Sequence, residues 1–318
     1  MTTTPLSARL GSSDLTVFPL ALGGNVFGWT ADEAQSFDVL DAFAAAGGNL
    51  VDTADVYSAW APGNQGGESE AVLGKWISTR GNRDSVVVAT KVGAHPEYKG
   101  LKAANIAAAT EQSLRRLGTD HIDLLYTHFD DESTPVEEIV TALDQLVRAG
   151  KVRHVAASNI SPARLTASLE FARREGLAAY VALQPKYNLV SRDTYEGELA
   201  AVATRFGLSA LPYSGLASGF LTGKYRPGGP AVDSARASGA AKNLETPHGV
   251  KVLEALDSVA AEHRAEVATV ALAWLAAQPT VTAPIASART VEQLPALLAL
   301  ADLALTAEQL ALLDAASS

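Results

Sequence analysis

Residues 86–91 read Val-Val-Val-Ala-Thr-Lys, and residues 122–128 read Ile-Asp-Leu-Leu-Tyr-Thr-His. Each is a short apolar run that closes on an ionisable side chain, Lys91 in the first and His128 in the second. Leu50-Val51-Asp52 repeats the pattern upstream, with Tyr57 five residues beyond it. Apolar side chains at nearly every position require burial on both faces, which a parallel sheet covered by helices provides. The same punctuation returns at Ser158-Asn159, Gln184 and Tyr213, at intervals of about 26 to 39 residues. That interval accommodates one strand, one helix and two loops.

Working outward, eight strands are expected: Leu20–Gly23, Leu50–Asp52, Val86–Lys91, Ile122–His128, Val152–Ser158, Val181–Gln184, Ser209–Tyr213 and Thr282–Ile285. Helices alternate with them. Thr30…Glu33, Thr134…Glu137 and Thr306…Gln309 fit the capping box, in which a hydroxyl and a Glu or Gln side chain satisfy backbone N–H groups reciprocally. Ser161-Pro162 opens another helix with proline in its first turn. Phe37, Leu40 and Ala44 recur at helical spacing, and Gly47-Gly48 stops that helix. Eight such units close into a (β/α)₈ barrel, preceded by a β-hairpin around Gly11–Asp14. In that architecture active sites lie at the C-terminal strand ends, where the polar residues above stand. Ser214 to Gly249 is too long for a simple turn and carries Gly228-Gly229-Pro230; it reads as a covering loop with a mobile tip, or as a surface insertion.

Composition narrows the function classes. A chain of 318 residues with 47% hydrophobic content buries a large core, and one domain spanning 1–318 is expected. The net charge of -10 argues against nucleic acid as a partner. Without cysteine there is no disulfide, thiolate metal site or cysteine nucleophile. The six histidines show no paired ligand spacing, so no metal is expected. Met1 to Pro5 lacks a basic stretch followed by an apolar one, and no apolar segment is long enough to cross a bilayer; the expectation is a cytoplasmic protein without a membrane partner.

Asp52, Tyr57, Lys91 and His128 make chemical sense together. A phenol ordinarily titrates near pH 10, so Tyr57 needs a neighbouring cation to stabilise its phenolate; Lys91 can supply it. Asp52 would keep that lysine charged, since a buried lysine without a partner loses its proton. His128 can donate a hydrogen bond to a substrate oxygen. Each residue alone also has a plain reading, as packing tyrosine, helix-capping aspartate or solvated lysine.

The segments 47–57 (Gly-Gly-Asn-Leu-Val-Asp-Thr-Ala-Asp-Val-Tyr), 67–70 (Gly-Glu-Ser-Glu), 120–128, Ser158-Asn159, 184–188 (Gln-Pro-Lys-Tyr-Asn) and 219–225 (Gly-Phe-Leu-Thr-Gly-Lys-Tyr) resemble, in this order, the aldo-keto reductase superfamily. The Leu221-Thr222-Gly223-Lys224-Tyr225 segment resembles the bacterial branch related to potassium-channel β-subunits more than the mammalian aldose-reductase branch. The resemblance implies reduction of an aldehyde or ketone by NADP(H), with Tyr57 as general acid, Lys91 and Asp52 tuning it and His128 orienting the carbonyl. It also implies that Ser158, Asn159 and Gln184 hold the nicotinamide carboxamide, that Tyr213 stacks on the ring, and that Ser214, Leu216, Ser218, Leu221 and Lys224 contact the pyrophosphate region. Ser158 and Asn159 read equally as a turn and a helix cap.

No Gly-x-Gly-x-x-Gly follows the first strand, so a Rossmann dinucleotide site is not supported. Gly219 to Lys224 falls one residue short of a nucleoside-triphosphate loop and is read as a pyrophosphate cover. After the eighth strand, Ser287, Arg289 and Gln293 form the last expected contact group. Thr290 and Gln293 fit a capping box, whereas Arg289 opposes the positive end of a helix and is costly there unless an anion binds. A 2′-phosphate would turn that cost into affinity, favouring NADP(H) over NAD(H). The family motif often has Asn where Leu297 stands, which puts one adenine contact in doubt.

Phe27, Trp29, Trp60 and Phe129 are expected to wall an apolar substrate pocket, with Asp130 and Asp131 as acceptors for hydroxylated substrates. Two other readings stand beside the reductase. One makes Lys91 a Schiff-base nucleophile of an aldolase; the other is a nucleotide-sensing regulatory protein that resembles the channel β-subunits and turns over slowly.

Overall fold

The computed structural model describes residues 7–230, 232 and 234–318. The reading of Met1 to Pro5 lies outside the described residues, as do Ala231 and Asp233 of the expected covering loop.

The chain opens with the expected hairpin, β1 (Ala8–Arg9) paired antiparallel with β2 (Thr16–Val17). The alternating elements follow: β3 (Ala21–Gly23), α1 (Glu33–Ala45), β4 (Leu50–Asp52), α2 (Glu68–Arg80), β5 (Val87–Val92), α3 (Ala103–Leu117), β6 (Ile122–Thr127), α4 (Val136–Arg148), β7 (Val152–Ser158), α5 (Pro162–Glu175), β8 (Tyr180–Gln184), α6 (Glu198–Phe206) and β9 (Ser209–Ala210). After the irregular stretch come α7 (Ala237–Ala241), α8 (Pro247–His263), α9 (Val267–Ala276), β10 (Ile285–Ala286), α10 (Leu294–Leu298) and α11 (Ala307–Ala316).

The eight strands from β3 to β10 form one parallel sheet in the order β10-β3-β4-β5-β6-β7-β8-β9. Its two ends meet through the segment before β10. Ala210 N–H donates to the Thr280 carbonyl at 2.8 Å, Thr282 N–H to the Ala210 carbonyl at 2.9 Å, and Val281 bridges Ala210 in parallel. The segment that leans on β9 therefore goes on to pair with β3, and the sheet closes into a (β/α)₈ barrel. Every residue of β4, β5, β6 and β8 is buried, as runs covered on both sides must be.

Helix starts depart from expectation at two places. The first capping box joins Asp32 and Gln35, not Thr30 and Glu33. A bridge between Phe27 and Ala31 and the bond from Gly28 N–H to the Ala31 carbonyl hold 27–31 in a turn, so helical backbone cannot begin before Asp32. Thr134 does not cap α4; its hydroxyl donates to Asp131 at 2.8 Å. Ser161 and Thr306 do cap as expected. On α1 the buried face carries Val39, Leu40 and Phe43, while Ala44 is exposed.

The strand ends also shift. His128 and Tyr213 lie beyond the strands assigned to them, and Tyr213 joins the sheet only through a parallel bridge to Lys186. The segment from Ser214 to Gly249 is not a single loop: it holds a 3₁₀ turn at Ala217–Thr222, α7, a second 3₁₀ turn at Lys242–Glu245 and the first turn of α8. No helix among the described residues is long and apolar enough to cross a membrane.

Candidate active site

Strands β4 and β5 place Asp52 and Lys91 on neighbouring barrel staves, both almost completely buried. The Lys91 ammonium has three acceptors: Asp52 Oδ2 at 2.7 Å, the Thr53 carbonyl at 2.8 Å and the Tyr57 hydroxyl at 2.8 Å. Those three use all the N–H donors of an ammonium group. Asp52 Oδ1 accepts from Gln184 Nε2 at 2.8 Å, so both of its oxygens are engaged. The Tyr57 oxygen thus receives a proton donor from behind, while its own proton has only a long contact of 3.4 Å to Asp52. Tyr57 and Asp52 line a cavity of about 400 Å³.

The electrostatics refine the expectation. Burial, and then the negative charge of Asp52, push the Tyr57 phenol well above its ordinary value. The group is therefore held as a phenol, and Lys91 acts when negative charge arrives on its oxygen. Burial pulls the Lys91 ammonium down, and Asp52, Asp55 and Glu70 oppose that pull. Burial, with Lys91 second, lowers the His128 imidazole to about 3.

The His128 ring lies 6.0 Å from that of Tyr57 at 75°, and its buried Nδ1 has no partner. A neutral imidazole offers one N–H donor without repelling Lys91. We predict that His128 carbon shifts show no protonation between about pH 5 and about pH 8, where an ordinary histidine titrates. A midpoint in that interval would overturn the neutral assignment. Because its folded pKa is depressed, His128 contributes stability above its ordinary pKa of 6.5 that is lost as pH falls towards about 3.

Three cations converge on the same cavity: Lys224, Arg236 and Arg289. None has an ion pair among the described residues. Burial first, then Arg289 and Arg236, lower the Lys224 ammonium, and burial followed by Arg289 lowers Arg236. Three crowded cations with no ion-pair partner among the described residues favour an anion, although Glu266 and Asp52 also line the cavity. Arg236 also sits 5.7 Å from the Trp29 ring centroid, a cation–π contact. Sequence reasoning missed Arg236, although a lone arginine in an uncharged Ala/Ser stretch was a usable signal. The case for Arg289 changes as well: a short 3₁₀ turn, Val291–Gln293, follows it instead of a full helix, and Gln293 accepts from the Arg289 N–H instead of pairing with Thr290.

Ser214, Leu216, Ser218, Lys224, Ser287, Arg289, Gln293, Tyr213 and Trp29 line the cavity, as does Leu297. Ser214, Ala217 and Ser218 adopt left-handed backbone with φ of 57°, 46° and 59°, and Gly219 has 93°. Such strain in consecutive non-glycine residues is held only where surrounding structure enforces it.

Other expected contacts lie elsewhere. Leu221 and Phe27 are buried in the core and do not line the cavity. Ser158, Asn159 and Gln184 do not line the cavity. Ser158 Oγ donates to the Gln184 carbonyl, Asn159 Nδ2 to the His128 carbonyl, and the Tyr213 hydroxyl to Asn159 Oδ1, each at 2.8 Å. These three residues brace the strand ends in this conformation.

Trp60 and Phe129 are about half exposed and do not line that cavity. Trp60 meets Trp29 and Tyr57 edge-on at 5.6 and 6.0 Å, and Phe129 stacks on His128 at 4.7 Å. Asp130 and Asp131 are not free acceptors. Asp130 pairs with Arg164, and Asp131 binds the Leu101 N–H, Ser133 and Thr134, which lowers its carboxyl to about 2. Lys91 is sequestered behind Tyr57 with every N–H committed, which removes the Schiff-base reading.

A model of the Aldo/keto reductase family matches residues 19–318. The "Uncharacterized oxidoreductase YrpG" of Bacillus subtilis is 35% identical over 96% of this chain and 94% of its own. A rice protein named "Probable voltage-gated potassium channel subunit beta" is 34% identical over 90% and 88%. An aryl-alcohol dehydrogenase of Phanerodontia chrysosporium, whose name carries NADP(+), is 31% identical over 94% and 82%. With a buried Asp-Lys pair behind a cavity-facing tyrosine at the C-terminal end of a (β/α)₈ barrel, this chain belongs to the aldo/keto reductase family.

Proposed function

We propose that the protein is an NADPH-dependent reductase that converts an aldehyde or ketone to an alcohol. The observation that carries this reading is the Tyr57 hydroxyl, 2.8 Å from the Lys91 ammonium and facing a cavity that also holds three cations without ion pairs among the described residues. The cavity chemistry fits a phosphorylated dinucleotide: Lys224, Arg236 and Arg289 meet its negative charge, and Ser214, Ser218 and Thr222 supply hydroxyls. When bound, a reduced nicotinamide supplies the hydride.

As negative charge grows on the carbonyl oxygen, Tyr57 gives up its proton to it, and Lys91 stabilises the phenolate left behind. Asp52 holds Lys91 charged, Gln184 holds Asp52, and neutral His128 orients the carbonyl. The half-exposed Trp60, edge-on to Tyr57, and Phe129, stacked on His128, favour a substrate with a flat apolar body, such as an aryl aldehyde. A small-molecule partner and a cytoplasmic location belong to the same reading.

The test is NADPH oxidation by the purified protein with an aromatic aldehyde, with NADH for comparison. Turnover that prefers NADPH supports the proposal; absence of turnover with every aldehyde and ketone tried, despite tight NADPH binding, favours a nucleotide-sensing protein. The rice relative's name keeps that second reading in view. We further predict that Arg289→Ala weakens NADPH binding by about 10- to 100-fold, the loss of one charge-assisted phosphate contact, and NADH binding by much less. Equal losses in titrations of the two cofactors would remove Arg289 from the 2′-phosphate.

A further inference from the structure

The catalytic face of the barrel carries a second cavity, of about 700 Å³, to which the reaction above gives no task. Its lining comes from the segments that follow β5 and β6 and includes Phe129, Lys99, Lys102, Asn105, Asp130 and Asp131. Phe129 belongs to both places: its ring stacks on His128 at 4.7 Å and 10°, and the same residue lines the second cavity. A substrate whose carbonyl lies at Tyr57 and His128 reaches this cavity by passing Phe129.

Hydrogen bonds fix the walls. Gly100 N–H donates to the Gly93 carbonyl at 3.0 Å and closes the loop after β5. Asn105 Nδ2 donates to the Lys99 carbonyl at 2.7 Å, which holds the backbone that carries this lysine. Asp131 Oδ2 accepts from the Leu101 N–H at 2.9 Å and from the Thr134 hydroxyl at 2.8 Å, so it joins the two loops. Gly100, at φ 90°, lies against that carboxylate, and a Cβ there would stand 3.0 Å from Oδ2.

The acids of the lining are engaged. Asp131 Oδ1 accepts from the Ser133 N–H and hydroxyl. Asp130 Oδ1 accepts from the Asp131 N–H at 2.9 Å, and its Oδ2 pairs with Arg164 at 2.6 Å. Glu138 accepts from the Ala103 N–H at 3.0 Å and lies outside the lining. Lys99 and Lys102 are exposed, and neither ammonium has an ion pair or a hydrogen bond among the described residues. Two unpaired ammonium groups near a half-exposed aromatic ring suit a ligand that is flat and apolar at one end and anionic at the other.

We propose that this cavity is a substrate subsite, in which Lys99 and Lys102 select carbonyl compounds that carry a carboxylate at the end remote from the carbonyl. The carbonyl stays with Tyr57 and His128, the apolar body lies against Phe129, and the carboxylate meets the lysines. Neither lysine touches a reacting atom, so their effect falls on KM and not on kcat. The inference rests on the reductase reading of the Tyr57 site.

The experiment is NADPH oxidation with para-formylbenzoate and para-formylcinnamate, each beside its methyl ester, in the parent, Lys99→Gln, Lys102→Gln and the double variant. The two lengths sample the reach from carbonyl to lysine. An ester withdraws electrons from the ring more strongly than a carboxylate does, so the decisive quantity is the acid-to-ester ratio of kcat/KM, compared between parent and variants. For at least one length the ratio falls by about fivefold in the double variant, the effect of two partly exposed charge pairs, through a raised KM for the acid alone. Each single variant gives part of that fall. Salt raised from about 50 mM to about 500 mM lowers the ratio in the parent and leaves it flat in the double variant.

A ratio unchanged in the double variant at both lengths, or a loss shared equally by acid and ester, overturns the subsite while the esters' turnover keeps the reductase reading in place. Turnover of none of the four compounds brings down the reductase reading and the subsite with it.

Discussion

Replacing Tyr57 with phenylalanine should lower kcat by about three orders of magnitude while NADPH binds as tightly as before. General-acid groups contribute roughly 10²- to 10⁴-fold, and the second phenol on the cavity wall, Tyr213, already donates its proton to Asn159. His128 is neutral and a weak acid, Lys91 lies behind the tyrosine ring, and Asp52 is paired with Lys91 at 2.7 Å. Phenylalanine keeps the edge contacts with Trp60 and His128 and the ring that lies 4.5 Å from the Lys91 nitrogen. The change removes one hydroxyl and little else. Stopped-flow NADPH oxidation, with cofactor binding followed by fluorescence, gives the two numbers; a kcat within about threefold of the parent would mean that another group donates the proton.

Lys91→Met should cost both activity and stability. The lysine pairs with Asp52 at 2.7 Å with both side chains nearly inaccessible. Removing one partner leaves a buried carboxylate held by Gln184 and the long contact from Tyr57, and losses of this kind run at about 3–5 kcal/mol. Urea unfolding at neutral pH measures the loss. Adding Asp52→Asn to Lys91→Met should recover most of the stability, since the stranded charge is gone, yet none of the turnover. If Lys91→Met unfolds at the parent's urea midpoint, Asp52 is not a buried carboxylate and its role as the lysine's anchor fails.

Much of this site was legible along the chain because its logic is local. Asp52, Lys91 and His128 each follow a run with no solvated face, and a parallel strand end is a property that a few consecutive residues declare. Boundaries were less secure: Thr30…Glu33 and Asp32…Gln35 are equally good capping motifs, and only the turn at 27–31 chooses between them. Phe27 was expected in the substrate wall from its place in a loop and Leu221 at the pyrophosphate by resemblance, yet both turn into the core, where an aromatic ring or a leucine side chain gains about 1.5–3 kcal/mol by burial.

Arg236 had no periodicity to mark it. It lies in an irregular stretch, and its importance comes from the nearness of Arg289 and Lys224, which other segments supply.

The amino-acid sequence by itself determined the barrel, the order of its polar strand ends and the chemical types of Asp52, Tyr57, Lys91 and His128, because strand burial and helix spacing are periodic and are written in neighbouring residues. Which polar groups face the cavity and which face one another was decided only by the closed barrel. Gln184 and Asp52 are 132 positions apart and share a hydrogen bond of 2.8 Å, and no local pattern encodes such a contact. Closure brings distant strand ends into one dry space, where each charge and each hydrogen bond is set by what the other strands place beside it.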